Sequence, residues 1–139
     1  MANPQDIGQL AGHLPNFELQ TQPRTTCRTV DRMLDCIHRH VFEPDFNVDA
    51  LRRRCRIGDN NRSSRFRFLV GHTPRAYIEQ LRLATAADLL HEHPEANVLD
   101  IAYLVGYEHP QTFYRAFRRH FGSPPGAVRK DKPRAVRPR

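Results

Sequence analysis

The sequence contains no tryptophan, no CxxC pair and no apolar run near the roughly 18 residues that suggest a membrane span. Its opening, "MANPQDIGQLAGHLPNFELQ", lacks the charged start and apolar core of a secretory signal, so a cytoplasmic location is expected. The three cysteines, Cys27, Cys36 and Cys55, are odd in number and widely spaced, which reads as free thiols in a reducing compartment. Zinc needs closely spaced ligand pairs on each side of a site. His38 and His40, like His91 and His93, are separated by one residue, and a helix turns such neighbours about 200° apart. No metal or cofactor is expected. G-x-S-x-G, the P-loop and H-E-x-x-H are also missing, and His109 beside Glu108 has no nucleophile to serve. An enzyme reading therefore has no constellation to stand on.

What is present is positive charge, unevenly placed. The 139-residue chain has a formal net charge of +7 and a mean hydropathy of −0.67, polar but with enough apolar residues for a modest core. Residues 47–82 hold nine basic and three acidic side chains, and residues 106–139 hold nine and two. Between them, residues 83–105 hold four acids and no Lys or Arg, and residues 1–46 hold four basic and six acidic groups. A charge serving only solubility would be spread evenly; two basic blocks suggest two contacts with a polyanion.

Aligning the basic blocks exposes a repeat. Phe66, Gly71, Pro74 and Tyr77 recur as Phe117, Gly122, Pro125 and Val128, each displaced by 51 residues. In both copies the Phe follows a polar, basic helix that a shorter helix precedes, which reads as an internal duplication rather than a solenoid. Periodicity and caps place the elements. In "TTCRTVDRMLDCIHRHVF", Val30, Met33, Leu34, Ile37 and Val41 follow the spacing of an amphipathic helix. Asn47 can cap a short helix carrying Val48 and Leu51, and Asp59 or Asn60 can cap the next, which ends at Gly71. Thr73-Pro74 opens a long helix with Tyr77, Ile78, Leu81, Ala84 and Leu89 near one side. Asn97 with Asp100 forms a capping-box-like start for a helix ending at Gly106, and His109-Pro110 begins another that Gly122 stops. No convincing strand alternation is found, so the expected fold is all-α.

Two short helices joined by a tight, Gly-containing turn follow the helix-turn-helix plan. In the second copy Phe113, Phe117 and Phe121 line one stripe, while Gln111, Thr112, Arg115, Arg118 and Arg119 fall largely elsewhere. The apolar stripe would fix the helix to its bundle and leave a polar face for a major groove, where Gln and Arg can bond base edges bidentately and Thr can touch a thymine methyl. At "DIAYLVGYEHPQTFYRAFRRHFGSPP" the chain resembles the DNA-binding domain of the AraC/XylS family of bacterial transcription regulators, in the pattern I-A-x3-G-[FY]-x5-F-x-R-x-F-[RK]-x3-G-x2-P. The resemblance extends more weakly over residues 26–130. It implies two homeodomain-like helix-turn-helix subdomains, joined by a long linker helix, that place two recognition helices in successive major grooves of double-stranded DNA. A linker of about 18 residues would span roughly 27 Å, comparable with the roughly 34 Å repeat of DNA.

On that basis the base-contacting candidates are Gln111, Thr112 and Arg115, with Asn60, Ser63 and Ser64 in the first subdomain. Arg67, Arg118, Arg119 and Tyr114 are candidates for phosphate. The first subdomain departs from the family pattern. Arg52 stands where a small residue is usual, Arg56 where a Gly is usual, and Arg62 where an apolar residue is usual. Arg62 has the greatest consequence, because its spacing to Phe66 aims it at the core; it must snorkel, pair with an acid or disrupt the packing. In the second subdomain Pro110 replaces a polar reader.

The expected organisation is a polar, flexible segment over 1–24, a first subdomain over 25–73, the linker helix over 74–91, a second subdomain over 92–129 and a basic, disordered tail over 130–139. Residues 1–24 are too short and polar for the effector or dimerisation domain that family members often carry, so the chain reads as a stand-alone regulator or a part of a longer one. The family's common outcome is activation, which brings RNA polymerase in as the implied protein partner. The competing reading is a protein-interaction or nonspecific DNA-binding module that kept the fold with a degenerate first helix-turn-helix. RNA binding is disfavoured because exposed aromatic stacking platforms are not evident.

Overall fold

Asn47, Thr73 and Asn97 each cap a helix where their spacing predicts one. Their side chains accept from the N–H groups of Ala50 (2.8 Å), Ala76 (3.1 Å) and Leu99 (2.8 Å). The computed structural model describes residues 10–15, 25–56 and 60–130, and these are all-α. The helices run α1 Arg28–His40, α2 Val48–Cys55, α3 Asn60–Val70, α4 Pro74–Glu92, α5 Val98–Leu104, α6 Pro110–Phe121 and α7 Pro125–Lys130. Asn60 is the first residue of α3; Asp59, the other candidate cap, lies outside the described residues. The capping box at α5 is only half made. Asn97 bonds the Leu99 N–H, whereas Asp100 Oδ2 is buried with no hydrogen-bond partner among the described residues.

Two apolar cores form along α4. Val30, Met33 and Ile37 of α1, Leu51 of α2, Phe66 of α3 and Ile78 of α4 share the first. Leu83, Leu89 and Leu90 of α4, Ile101 of α5, Phe113 and Phe117 of α6 and Val128 of α7 share the second. The long helix thus serves both units, and its buried residues surround it more widely than the single stripe the sequence predicts: Thr85, Ala86 and Ala87 are buried as well. Both units pack on α4, and Phe42 of the α1–α2 connection lies against both cores.

The repeat is a structural one. Phe66 and Phe117 are both fully buried, Gly71 and Gly122 both take positive φ (+93° and +79°) just beyond their helices, and Pro74 and Pro125 both begin the next helix. Within the segment expected to be flexible, residues 10–15 instead pack: Leu10 is buried in the second core, Leu14 lies against it, and the His13 ring is 4.6 Å from that of His93. The rest of 1–24 and the tail beyond residue 130 lie outside the described residues.

Candidate nucleic-acid interface

On α6 the aromatic stripe works as its spacing predicts. Phe113 and Phe117 are fully buried and their rings pack 5.6 Å apart, with Phe121 4.5 Å beyond Phe117. At 100° per residue, Gln111, Arg115 and Arg118 fall together on the opposite side, flanked by Thr112 and Arg119 on one edge and Tyr114 on the other. All six are exposed. Tyr114 lies edge-on to Phe113, which leaves its outer end at the surface. Arg119 Nη2 donates to Glu79 Oε1 of α4 at 3.0 Å, so this candidate phosphate ligand is already in an ion pair.

The 51-residue register carries the same face onto α3. Asn60, Ser64 and Arg67 correspond to Gln111, Arg115 and Arg118, and Ser64 and Arg67 are exposed. Ser63 is half-buried, at the position equivalent to Tyr114. Phe68 occupies the position of Arg119 and is 86% exposed, the most exposed large apolar side chain among the described residues. The back of α3 is far less apolar than that of α6. Arg62 and Arg65 stand where α6 has the buried Phe113 and Ala116, and Phe66 is the deep anchor.

Sequence reasoning missed the group between the units. Arg82 of α4 is 9% exposed. Its Nε donates to the Val41 carbonyl (2.7 Å) and its Nη2 to those of Glu43 (3.0 Å) and Phe46 (2.8 Å), all in the α1–α2 connection. On the other side its guanidinium lies 5.7 Å from the centre of the Tyr107 ring, in the α5–α6 turn. Burial, more than the nearby Glu79 carboxylate, pushes the Tyr107 hydroxyl up to about 12, so it stays neutral. A cleft of about 370 Å³ opens beside Arg82, between Val48 and Asp49 on one wall and Tyr107 and Thr112 on the other. The signal was available in sequence: Ile78, Arg82, Thr85 and Leu89 share one helical stripe, and an arginine on such a stripe must find partners.

Among the described residues no group of three His, Cys, Asp or Glu side chains could hold a metal ion. The cysteines are free thiols, and burial together with the neighbouring Cys36 thiol pushes Cys55 up to about 12. No helix among the described residues is long and apolar enough to cross a membrane.

A family model described as "Helix-turn-helix domain" matches residues 51–131, more than half of the chain. The chain belongs to the AraC/XylS family of transcription regulators. It is 30% identical over 124 residues to the HTH-type transcriptional activator RhaS of Escherichia coli, covering 89% of this chain and 44% of that protein. It is 32% identical over 89 residues to the HTH-type transcriptional regulator MtrA of Neisseria gonorrhoeae, covering 64% of this chain and 29% of that one. The chain thus spans less than half the length of these relatives. Among solved structures, the C-terminal domain of AraT, a response regulator from Geobacillus stearothermophilus, has the same fold with a TM-score of 0.71 at 22% identity, over 77% of this chain and 88% of that one.

Each departure from the AraC/XylS pattern has a visible structural outcome. Arg52 is exposed, whereas Ala102, which stands the same five residues beyond its helix cap (Asn47 and Asn97, 50 residues apart), is buried. Arg56 takes the left-handed conformation itself (φ 53°, ψ 49°), where Gly106 serves at the same distance from the cap of α5. Arg62 snorkels: it is exposed, and its Nη1 donates to the Thr29 hydroxyl of α1, so the packing around Phe66 is not broken. Pro110 takes the first position of α6, where its missing N–H costs the helix nothing.

Proposed function

We propose that this protein binds double-stranded DNA with α3 and α6 in successive major grooves and regulates transcription from the site it occupies, acting by positioning rather than by catalysis. The observation that carries the reading is the duplicated face: Ser64 and Arg67 on α3, and Arg115 and Arg118 with Gln111 on α6, each opposite a buried Phe. Basic side chains displace counterions from phosphates and supply most of the affinity, while Gln111, Thr112 and Arg115, with Asn60, Ser63 and Ser64, read base edges. Arg67, Arg118 and Tyr114 hold phosphates; Arg119 does so by leaving or sharing Glu79. Activation, with RNA polymerase as the protein partner, is adopted because RhaS is named an activator. Acting on DNA places the protein in the cytoplasm.

The test is selection from a random duplex library, followed by affinity measurements on the winner and on a scrambled duplex. Arg115→Ala should lower affinity for the winner by about 1–3 kcal/mol and leave the scrambled duplex nearly unaffected. Arg118→Ala should weaken both alike and reduce the salt slope by about 1. Equal loss at Arg115 on both duplexes removes it as a reader. The exposed Phe68 favours a second reading, in which the α3 face meets a protein. No enrichment in the selection, with steep salt dependence, would support that one.

A further inference from the structure

The two helix-turn-helix units share α4, and beside it Phe42 of the α1–α2 connection packs against both cores. The first grips the start of α4 through Tyr77, Ile78 and Leu81, and the second grips its remainder through Leu83, Leu89 and Leu90. A cleft separates their facing walls. Any rocking of one unit against the other about α4 would change the distance and angle between α3 and α6.

Arg82 stands at the crossover between the two cores and spans the gap. Three backbone carbonyls of the first unit accept from its Nε and Nη2, and the ring of Tyr107 in the second unit lies under the same guanidinium. The fit at Gly106 is closer still: a Cβ there would come within 2.7 Å of Arg82 Nε and 2.9 Å of its Cζ. Guanidinium is planar and its five N–H groups form a rigid fork, so one orientation satisfies the carbonyls and that orientation also presents the face on which Tyr107 rests. No ion pair to a carboxylate holds Arg82 among the described residues, so its position is set by these two contacts. Tyr107 precedes Pro110, the first residue of α6, by three positions, and Phe46 immediately precedes the cap of α2. A shift at either end of Arg82 therefore reaches a helix-turn-helix directly.

We infer that Arg82 is a positioning residue that sets the spacing of the two DNA half-sites this protein accepts. It touches no base, and the inference rests on the two-helix reading proposed above. Each inserted base pair moves one half-site by about 3.4 Å along the duplex and about 34–36° around it, so a rigid pair of recognition helices accepts one separation and a rocking pair accepts several.

The experiment uses the full chain and a duplex series in which the two selected half-sites stand at the selected separation or with one to three base pairs inserted or removed. Wild-type protein should lose roughly tenfold or more in affinity on a one-base-pair change. Arg82→Met and Tyr107→Leu should each flatten that loss to about threefold or less while binding an isolated half-site about as wild type does. Tyr107→Leu leaves all three carbonyl bonds in place, so it decides the question if Arg82→Met does not fold. Variants that weaken every duplex equally, with the spacing profile unchanged, overturn the positioning role and leave the two-helix reading standing. A wild-type protein indifferent to spacing overturns the two-helix reading instead.

Discussion

Arg56 carries the backbone through the left-handed region, φ 53° and ψ 49°, at the C-terminus of α2, where its own N–H bonds the Arg52 carbonyl. For an L-residue with a Cβ this conformation costs about 1–2 kcal/mol, and the surrounding turn holds it there. Arg32 of α1 contributes to that hold by donating to the Cys55 carbonyl at 3.0 Å. Arg56→Gly should therefore stabilise the protein by about 0.5–1 kcal/mol, the strain relieved less the extra freedom Gly brings to the unfolded chain. Urea unfolding reads this directly, and a loss of stability would mean that the Arg56 side chain makes a compensating contact. Arg56 stands next to the exposed Arg52, Arg53 and Arg54.

The turn after α5 and the end of α6 pose the same backbone requirement with different surroundings. Gly106 has φ +109° and Gly122 has φ +79°, so both resist a side chain. An added Cβ at Gly122 meets nothing within 4 Å, whereas one at Gly106 meets the Arg82 guanidinium. Gly122→Ala should cost about 1 kcal/mol of backbone strain alone. Gly106→Ala should cost about 3 kcal/mol or more, because Arg82 must also retreat from a 2.7 Å bond to a buried carbonyl. Unfolding of both variants gives the comparison, and equal costs would mean that Arg82 gives way freely. The surroundings of α6 and α3 differ as well. Two rings and a cation converge on the former, Tyr107 on Phe113 at 5.4 Å and Arg82 on Tyr107, while α3 is anchored by Phe66 and flanked by arginines.

At the scale of the molecule, two histidines tie stability to acidity. His38 Nε2 shares a 2.7 Å hydrogen bond with the Tyr77 hydroxyl, joining α1 to α4 in the first unit. His120 Nε2 is buried in the second unit with no hydrogen-bond partner among the described residues. Burial lowers both imidazoles below their ordinary value of 6.5, with Asp35 opposing at His38 and Glu79 at His120. Between the lowered folded value and 6.5 the unfolded chain binds more protons than the folded one, so stability rises with pH across that window. The contribution is complete above 6.5 and is lost as pH falls through the lowered values. Unfolding free energy measured from pH 7.5 down to about pH 5 should decline, and the double variant His38→Gln, His120→Gln should decline less. An unchanged slope would assign the acid sensitivity to the carboxylates. Because both units share α4, loss of either core should propagate to the other, and the same slope should appear whether the probe sits in the first or the second unit.

What the sequence determined by itself was local. The all-α class, the starts at Asn47, Thr73 and Asn97, the stops at Gly71 and Gly122 and the buried Phe113–Phe117 stripe depend on residues within a turn or two of one another, where periodicity and capping act. The repeat extended this reach, since a face legible on α6 could be carried 51 residues back to α3. The tertiary structure decided the rest. Arg82 bonds carbonyls 36–41 residues away, Arg119 pairs with Glu79 across 40 residues, and Leu10 enters a core built from α4 to α7. Arg62 could be seen to need an exit, but only the placement of Thr29 on α1 provides one. Spacing along a chain fixes which side of a helix a residue occupies, and whether that side meets solvent, a carbonyl or another helix is set by contacts that close only when the chain has folded.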